Sequence, residues 1–152
     1  MIRHTIGLLS AALIAATTAS TIDAAGSDAE TEALAAVDRF MKEFNTADMD
    51  AWAGTLSYPH VRIASGAVKT WKTPAEYATS FDFDELKRTM RWHHSAFDYK
   101  KIVQSSENKV HVAVRFTRYR ADGSKIASYE AVYVVTRVAG RWGIQARSSF
   151  AP

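Results

Sequence analysis

Apolar and polar positions recur with two different periods along this chain, and the change from one to the other falls near residue 90. In "SDAETEALAAVDRFMKEFNTAD", Leu34, Val37, Met41 and Phe44 lie at helical spacing with Phe40 beside them, and Ser27 with Glu30 forms the S-x-x-E pattern of a capping box. The spacing predicts an amphipathic helix from about Asp28 to Asn45. Asp48 is placed to cap a second, short helix in "MDAWAGTL", and "YPHVRIASGAVKTW" reads as a short hairpin around Ser65 and Gly66. Thr73, Pro74 and Glu76 make a second capping box with proline at the first helical position, and helix continues, with a break near "FDFD", to about Met90.

Beyond that point the period is two. Turn signals at Asn108, Asp122-Gly123 and Ala139-Gly140 separate four long segments, about residues 91–105, 109–120, 125–137 and 141–150, which predict a meander of antiparallel strands. Helices first and a sheet afterwards give an α+β fold with the helices on one face of the sheet. In "KVHVAVRF", Val110, Val112, Val114 and Phe116 share one face, while His111, Ala113 and Arg115 share the other. Two-residue turns would set Phe116 opposite Tyr129 and Tyr133 opposite Ala146, so that Tyr129, Ala131, Tyr133, Val135, Trp142 and Ile144 join the valine face. The same register puts Arg115 across from Glu130 on the outer face, with Arg147 nearby. A one-residue bulge would reverse the later strands and bury Glu130 beneath the helices with a raised pKa. The outer ion-pair group is the favoured reading, because charged side chains are seldom buried unpaired.

The first two dozen residues follow neither pattern. "MIRH" is a short positive head, "TIGLLSAALIAAT" an apolar run, and "TASTIDAAGS" a small-residue region, which together predict a signal peptide over residues 1–24 and one domain over residues 25–152. The apolar run is shorter than the ~20 residues that span a bilayer, so the expected product is exported, periplasmic or secreted, with no membrane association after cleavage. There is no cysteine, which excludes disulfides, a thiolate nucleophile and a cysteine-based zinc site. The formal charge of +3 and the pI of about 9.2 come from scattered residues rather than a basic stripe, which argues against nucleic acid as a partner.

The order of helix, short helix, hairpin, helix and four long strands, with "FNTADMDAW" early and "GRWGIQARSSF" at the end, resembles the nuclear transport factor 2-like superfamily from about Asp28 to Phe150. The resemblance implies a SnoaL-like or ketosteroid isomerase-like cone in which a strongly curved antiparallel sheet wraps the N-terminal helices around an apolar pocket. It also implies a homodimer through the outer sheet face. Such folds serve several activities, so the chemistry must be read from the pocket.

His60 and Arg62 alternate on one side of a short strand, with Tyr58 two residues before them and Val61 and Ile63 on the other side. An imidazole to move a proton beside a guanidinium to hold negative charge makes His60 and Arg62 the candidate catalytic pair. The other reading is the solvated face of an edge strand. Trp71, Tyr129 and Tyr133 are expected to line the pocket. In "MRWHHSAF" alternation sends His93 and His94 to opposite faces, one of them inward against Trp92 or Phe97, which disfavours a shared metal. The expected function is binding of a small apolar or aromatic ligand with a polar or anionic end, extended in an enzyme to cofactor-free isomerase or lyase chemistry. The alternative is a non-catalytic dimeric binding or scaffold module.

Overall fold

A computed structural model describes the backbone from residue 19 and the side chains from residue 28, both to residue 152. Of the expected leader, residues 1–18 lie outside the described residues, as does the Ser27 side chain. The first helix, α1 (Ala19–Thr46), runs back through Ser27, so the box expected there does not begin it. Among the described residues, no helix is long and apolar enough to cross a membrane.

The remaining elements are α2 (Met49–Ala53), β1 (Leu56–Ala64), β2 (Ala67–Trp71), α3 (Pro74–Ala78), α4 (Phe83–Met90), β3 (His94–Ser106), β4 (Lys109–Tyr119), β5 (Lys125–Val138) and β6 (Arg141–Ser149). Local chemistry sets most of the boundaries. The Asp48 carboxylate accepts from the backbone N–H groups of Asp50 and Ala51, and Asp82 accepts from Glu85, each satisfying donors that a helix start leaves open. Thr73 Oγ1 accepts from Glu76 N, while the Glu76 carboxylate reaches back to the N–H of Lys72. Arg91, left-handed at φ 56°, ends α4.

The six strands form one sheet in the order β2-β1-β6-β5-β4-β3. Every pairing is antiparallel except β1 with β6, which is parallel; the four long strands form the expected antiparallel meander. Helix α1 lays Ala33, Ala36, Val37, Phe40 and Phe44 against the face formed by Val110, Val112, Val114, Ala131, Tyr133 and Val135, and all of these are buried. Burial of this apolar surface, at about 25 cal/mol per Å², is the main term holding helix to sheet.

The register of β4 and β5 is the expected one, with Phe116 opposite Tyr129 and Arg115 opposite Glu130. Glu130 stays outside and exposed. Arg115, however, pairs with Asp98 at 3.6 Å, a residue that the curved run of β3 brings beside it.

The register of β5 and β6 departs from expectation halfway along. Val135 faces Ile144 and Val134 faces Ala146, which leaves Gln145 as the extra residue of a bulge. Tyr133 therefore lies opposite Arg147, not Ala146. A bulge inverts which residues face inward beyond it. Trp142 and Ile144 point to the core as expected, but so do Arg147 and Ser149, and Arg147 leaves the outer group in which the sequence had placed it.

Candidate functional site

The inversion in β6 builds a cavity of cationic and aromatic side chains between the helices and the sheet. Lys69 of β2 is paired with Arg62 of β1, Arg62 with Arg147 of β6, and Arg147 with Tyr133 of β5. Neighbouring strands lie ~4.8 Å apart, so three cations and a phenol stand in one row across the sheet, and all four line the cavity. Like charges directly opposite one another on a sheet repel.

Arg147 is held from every side. Its Nη2 donates to the Tyr77 hydroxyl at 2.7 Å and its Nε to His60 Nε2 at 3.3 Å. The guanidinium lies 5.0 Å from the Phe40 ring and 5.5 Å from that of Trp52, distances at which a cation is attracted to the ring face. Arg62 donates to the carbonyl oxygens of Ala151 and Pro152 at 3.1 and 2.7 Å. Its pKa is pushed below the ordinary arginine value, by burial first and by the neighbouring Arg147 second.

A further arginine comes from β4. Arg118 continues the inward-facing series Val112, Val114, Phe116 and lines the same cavity. Among the described residues lining the cavity there are thus four cations and no aspartate or glutamate side chain, and none of the four forms an ion pair with a described Asp or Glu. The cavity has a volume of about 70 Å³, room for on the order of five water molecules. Phe40, Phe44, Phe81, Phe116, Trp52 and Trp71 supply its apolar wall.

The hydroxyls of the site are neutral. Tyr77 has its pKa raised by burial, against the opposing pull of Arg147, and Tyr133 is pushed up by burial to about 12. Tyr77 already accepts a bond from Arg147, which leaves its proton for a ligand. Ser80, Ser95 and Ser149 complete the side-chain hydroxyls of the lining.

The expected site residues divide into two groups. Arg62, Trp71 and Tyr133 line the cavity. His60 does not: it is wholly buried behind Arg147, stacked on Trp71 at 5.9 Å and edge-on to Tyr77 at 5.4 Å. Its Nδ1–H donates to the Ile144 carbonyl at 3.0 Å, which leaves Nε2 as an acceptor for Arg147. Burial and then the Arg147 charge lower its pKa to about 3.

Tyr58 sends its hydroxyl to the Ala53 carbonyl at 2.9 Å. Trp92 is buried against Phe44 and Phe83 and donates to Ser95 Oγ. Tyr129 lies under the Arg118 guanidinium, outside the lining. Neither His93 nor His94 turns inward, as one of them was expected to do. The left-handed Arg91 turns the chain so that β3 starts only at His94, the two rings meet edge-on at 5.4 Å, and Ser95 takes the inward position. Among the described residues no three side chains of metal-binding type lie together.

Arg118 and Tyr77 were missed by sequence reasoning. The parity of "VAVRFTR" carries Arg118 onto the valine face and could have found it. Tyr77 follows a capping box that fixes where α3 begins but not which way its residues point.

Residues 29–149 match the family model described as NTF2-like protein (DUF6841). No curated protein matches. Among solved structures, an NTF2-like protein with a cystatin-like fold from Novosphingobium aromaticivorans superposes with a TM-score of 0.70 at 10% identity, covering 90% of each chain. A ketosteroid isomerase-like protein from Erwinia carotovora atroseptica gives 0.55 at 21% identity over 80% of this chain and 96% of that one. A protein from Catenulispora acidiphila in complex with S-DNPA gives 0.63 at 16% identity over 82% and 93%. At these identities the likeness is one of fold.

Proposed function

Since the chain belongs to the NTF2-like family DUF6841, whose fold supplies a pocket and not a particular chemistry, we propose that it binds one small organic anion with an aromatic or apolar body. The observation that carries this reading is a cavity lined by Lys69, Arg62, Arg118 and Arg147 and by no aspartate or glutamate side chain, with Arg118 and Arg147 buried. Buried like charges with no counter-ion are costly unless something negative joins them, and a guanidinium offers a carboxylate two parallel donors. The aromatic wall suits an apolar body, and a cavity of about 70 Å³ favours a compact one. A solved protein of this fold holds S-DNPA, a precedent for small-molecule occupancy. The apolar run read as a leader supports a function outside the cytoplasm, and a homodimer would cover the exposed Tyr99, Val103 and Val132, which sedimentation at micromolar concentration would reveal.

Binding rather than turnover is favoured by the lining itself. His60, expected as the base, is neutral, faces away from the cavity and has both ring nitrogens engaged. It serves as a positioning residue for Arg147. The proton-bearing groups that do reach the cavity are phenols and serine hydroxyls, suited to donating hydrogen bonds to an anion.

Titration with benzoate tests the reading. Saturation at about 100 Kd adds about 2.7 kcal/mol to stability and raises Tm by roughly 10 °C. Arg147→Met, which keeps apolar bulk between Phe40 and Trp52, is expected to weaken benzoate at least tenfold by calorimetry. A protein that gains no stability from benzoate or any other small carboxylate, and whose oligomeric state depends on the outer sheet face, would support the scaffold reading instead.

A further inference from the structure

Tyr133 is the point on which the arginines of the cavity converge. Its ring is buried edge-on to Phe40 at 5.6 Å, and its hydroxyl forms no hydrogen bond among the described residues, although the side chain lines the cavity. Arg147 of β6 stands opposite it. Arg62 of β1 and Arg118 of β4 act on the same phenol, each opposing the effect of burial on it. Arg147 and Arg118 also both bear on Arg62, whose pKa is lowered by burial first and by these two neighbours further. Three guanidinium groups from three strands thus gather at one phenol, with the Tyr77 hydroxyl beside them, held by Arg147 at 2.7 Å.

Each guanidinium keeps donors that the protein does not use. Arg147 spends Nε on His60 and one Nη2 proton on Tyr77, which leaves Nη1. Arg62 spends Nη2 on the backbone oxygens of Ala151 and Pro152, which leaves Nη1 and Nε. Arg118 is the extreme case. It is 6% exposed, its Nε is buried with no partner among the described residues, and its Nη1 meets only the Met90 sulfur at 3.6 Å, a weak acceptor. The Tyr129 ring, 5.2 Å from the guanidinium, backs it but offers no oxygen. Leaving such a group unpaired is costly, so its Nη2 requires an acceptor from the cavity.

A carboxylate does not answer all three arginines. It has one charge and two oxygens in one plane, which a single guanidinium already matches with two parallel donors. A phosphate monoester carries about 1.5 to 2 negative charges at neutral pH and presents three acceptor oxygens. Those oxygens point in different directions, so donors arriving from β1, β4 and β6 can each meet one. The cavity, about 70 Å³ in volume, suits a head of this compactness on a small body.

We infer that the anionic head of the ligand is a single tetrahedral dianion of the phosphate monoester type, held jointly by Arg62, Arg118 and Arg147 with the hydroxyls of Tyr77 and Tyr133. This rests on the anion-binding reading above and deepens it by naming the head group. Methyl phosphate, methanesulfonate and acetate are the probes, because they share a methyl body. Methanesulfonate has the tetrahedral shape with one charge, and acetate has one charge in a plane. In calorimetry at pH 8 on the purified protein, in a buffer free of phosphate and sulfate, methyl phosphate is expected to bind about tenfold more tightly than either monoanion. In Arg118→Met that advantage is expected to fall to about threefold or less, and Arg118→Lys, which keeps the charge, to restore part of it.

Methyl phosphate that binds no more tightly than methanesulfonate, or that fails to bind where benzoate binds, would overturn the dianionic head and leave the first reading standing. An advantage unchanged in a folded Arg118→Met would overturn the joint grip. If neither benzoate nor any of the three probes binds the folded protein, the anion reading itself falls. The wild-type comparison decides the charge of the head even where the Arg118 variants do not fold.

Discussion

His60 shows how burial reassigns a residue. Its ring sits on Trp71 and Tyr77 and faces two cations, Arg147 and Arg62, with no acid against it. The folded protein therefore refuses a proton that the unfolded chain accepts near pH 6.5. With the folded pKa depressed to about 3, the unfolded state binds more protons between those values, so stability is full above pH 6.5 and falls as the pH drops toward 3. Urea midpoints should lose the equivalent of about 2 kcal/mol between pH 6.5 and pH 5, and His60→Gln should flatten that slope. Asn45 is another residue with more work than its sequence position suggests. Its amide donates to the Ser95 carbonyl and accepts from the Ser95 N–H at 2.9 and 2.8 Å, tying the end of α1 to the start of β3 beside the cavity. Asn45→Ala should cost about 1–3 kcal/mol, read from denaturant midpoints, and weaken ligand binding through Ser95.

Among elements, β6 matters most. Its Gly143 lies before the bulge, against the irregular stretch of β1, and a Cβ there would come within 2.7 Å of Ser57 Oγ and 3.0 Å of the Leu56 and Ser57 backbone. Gly143→Ala should lower stability by about 1–3 kcal/mol through overpacking, measurable as a fall in Tm. Deleting Gln145 should remove the bulge while keeping Arg147 opposite Tyr133 and Ser149 inward, so benzoate binding should survive the deletion. This strand also marks the limit of what the sequence discloses. Periodicity, capping residues and turn dipeptides are local, and they located the helices, the hairpin and the strands to within a few residues, except for the start of α1, which lies at Ala19, nine residues before the expected Asp28. They also located the β4–β5 register and the cavity-facing positions of Arg62, Trp71 and Tyr133. A bulge depends on what lies on both sides of a strand. Nothing in "RWGIQARSSF" separates a residue that is skipped from one that is paired, so Arg147 was placed outside, and His60, which packs behind it, was read as facing the cavity.

At the scale of the molecule, the cations around the cavity should govern the response to salt. Four positive side chains share one cavity, and their mutual repulsion is relieved by screening or by any anion that enters. Tm of the ligand-free protein should therefore rise with added sodium chloride, the gain should shrink in Arg147→Met, and the affinity for benzoate should fall over the same range. A β6 in which Gln145 paired would present Ala146 and Ser148 to the cavity and return Arg147 to solvent. Whether Gln145 is skipped or paired thus decides whether four cations or three line the cavity, with the composition of the strand unchanged.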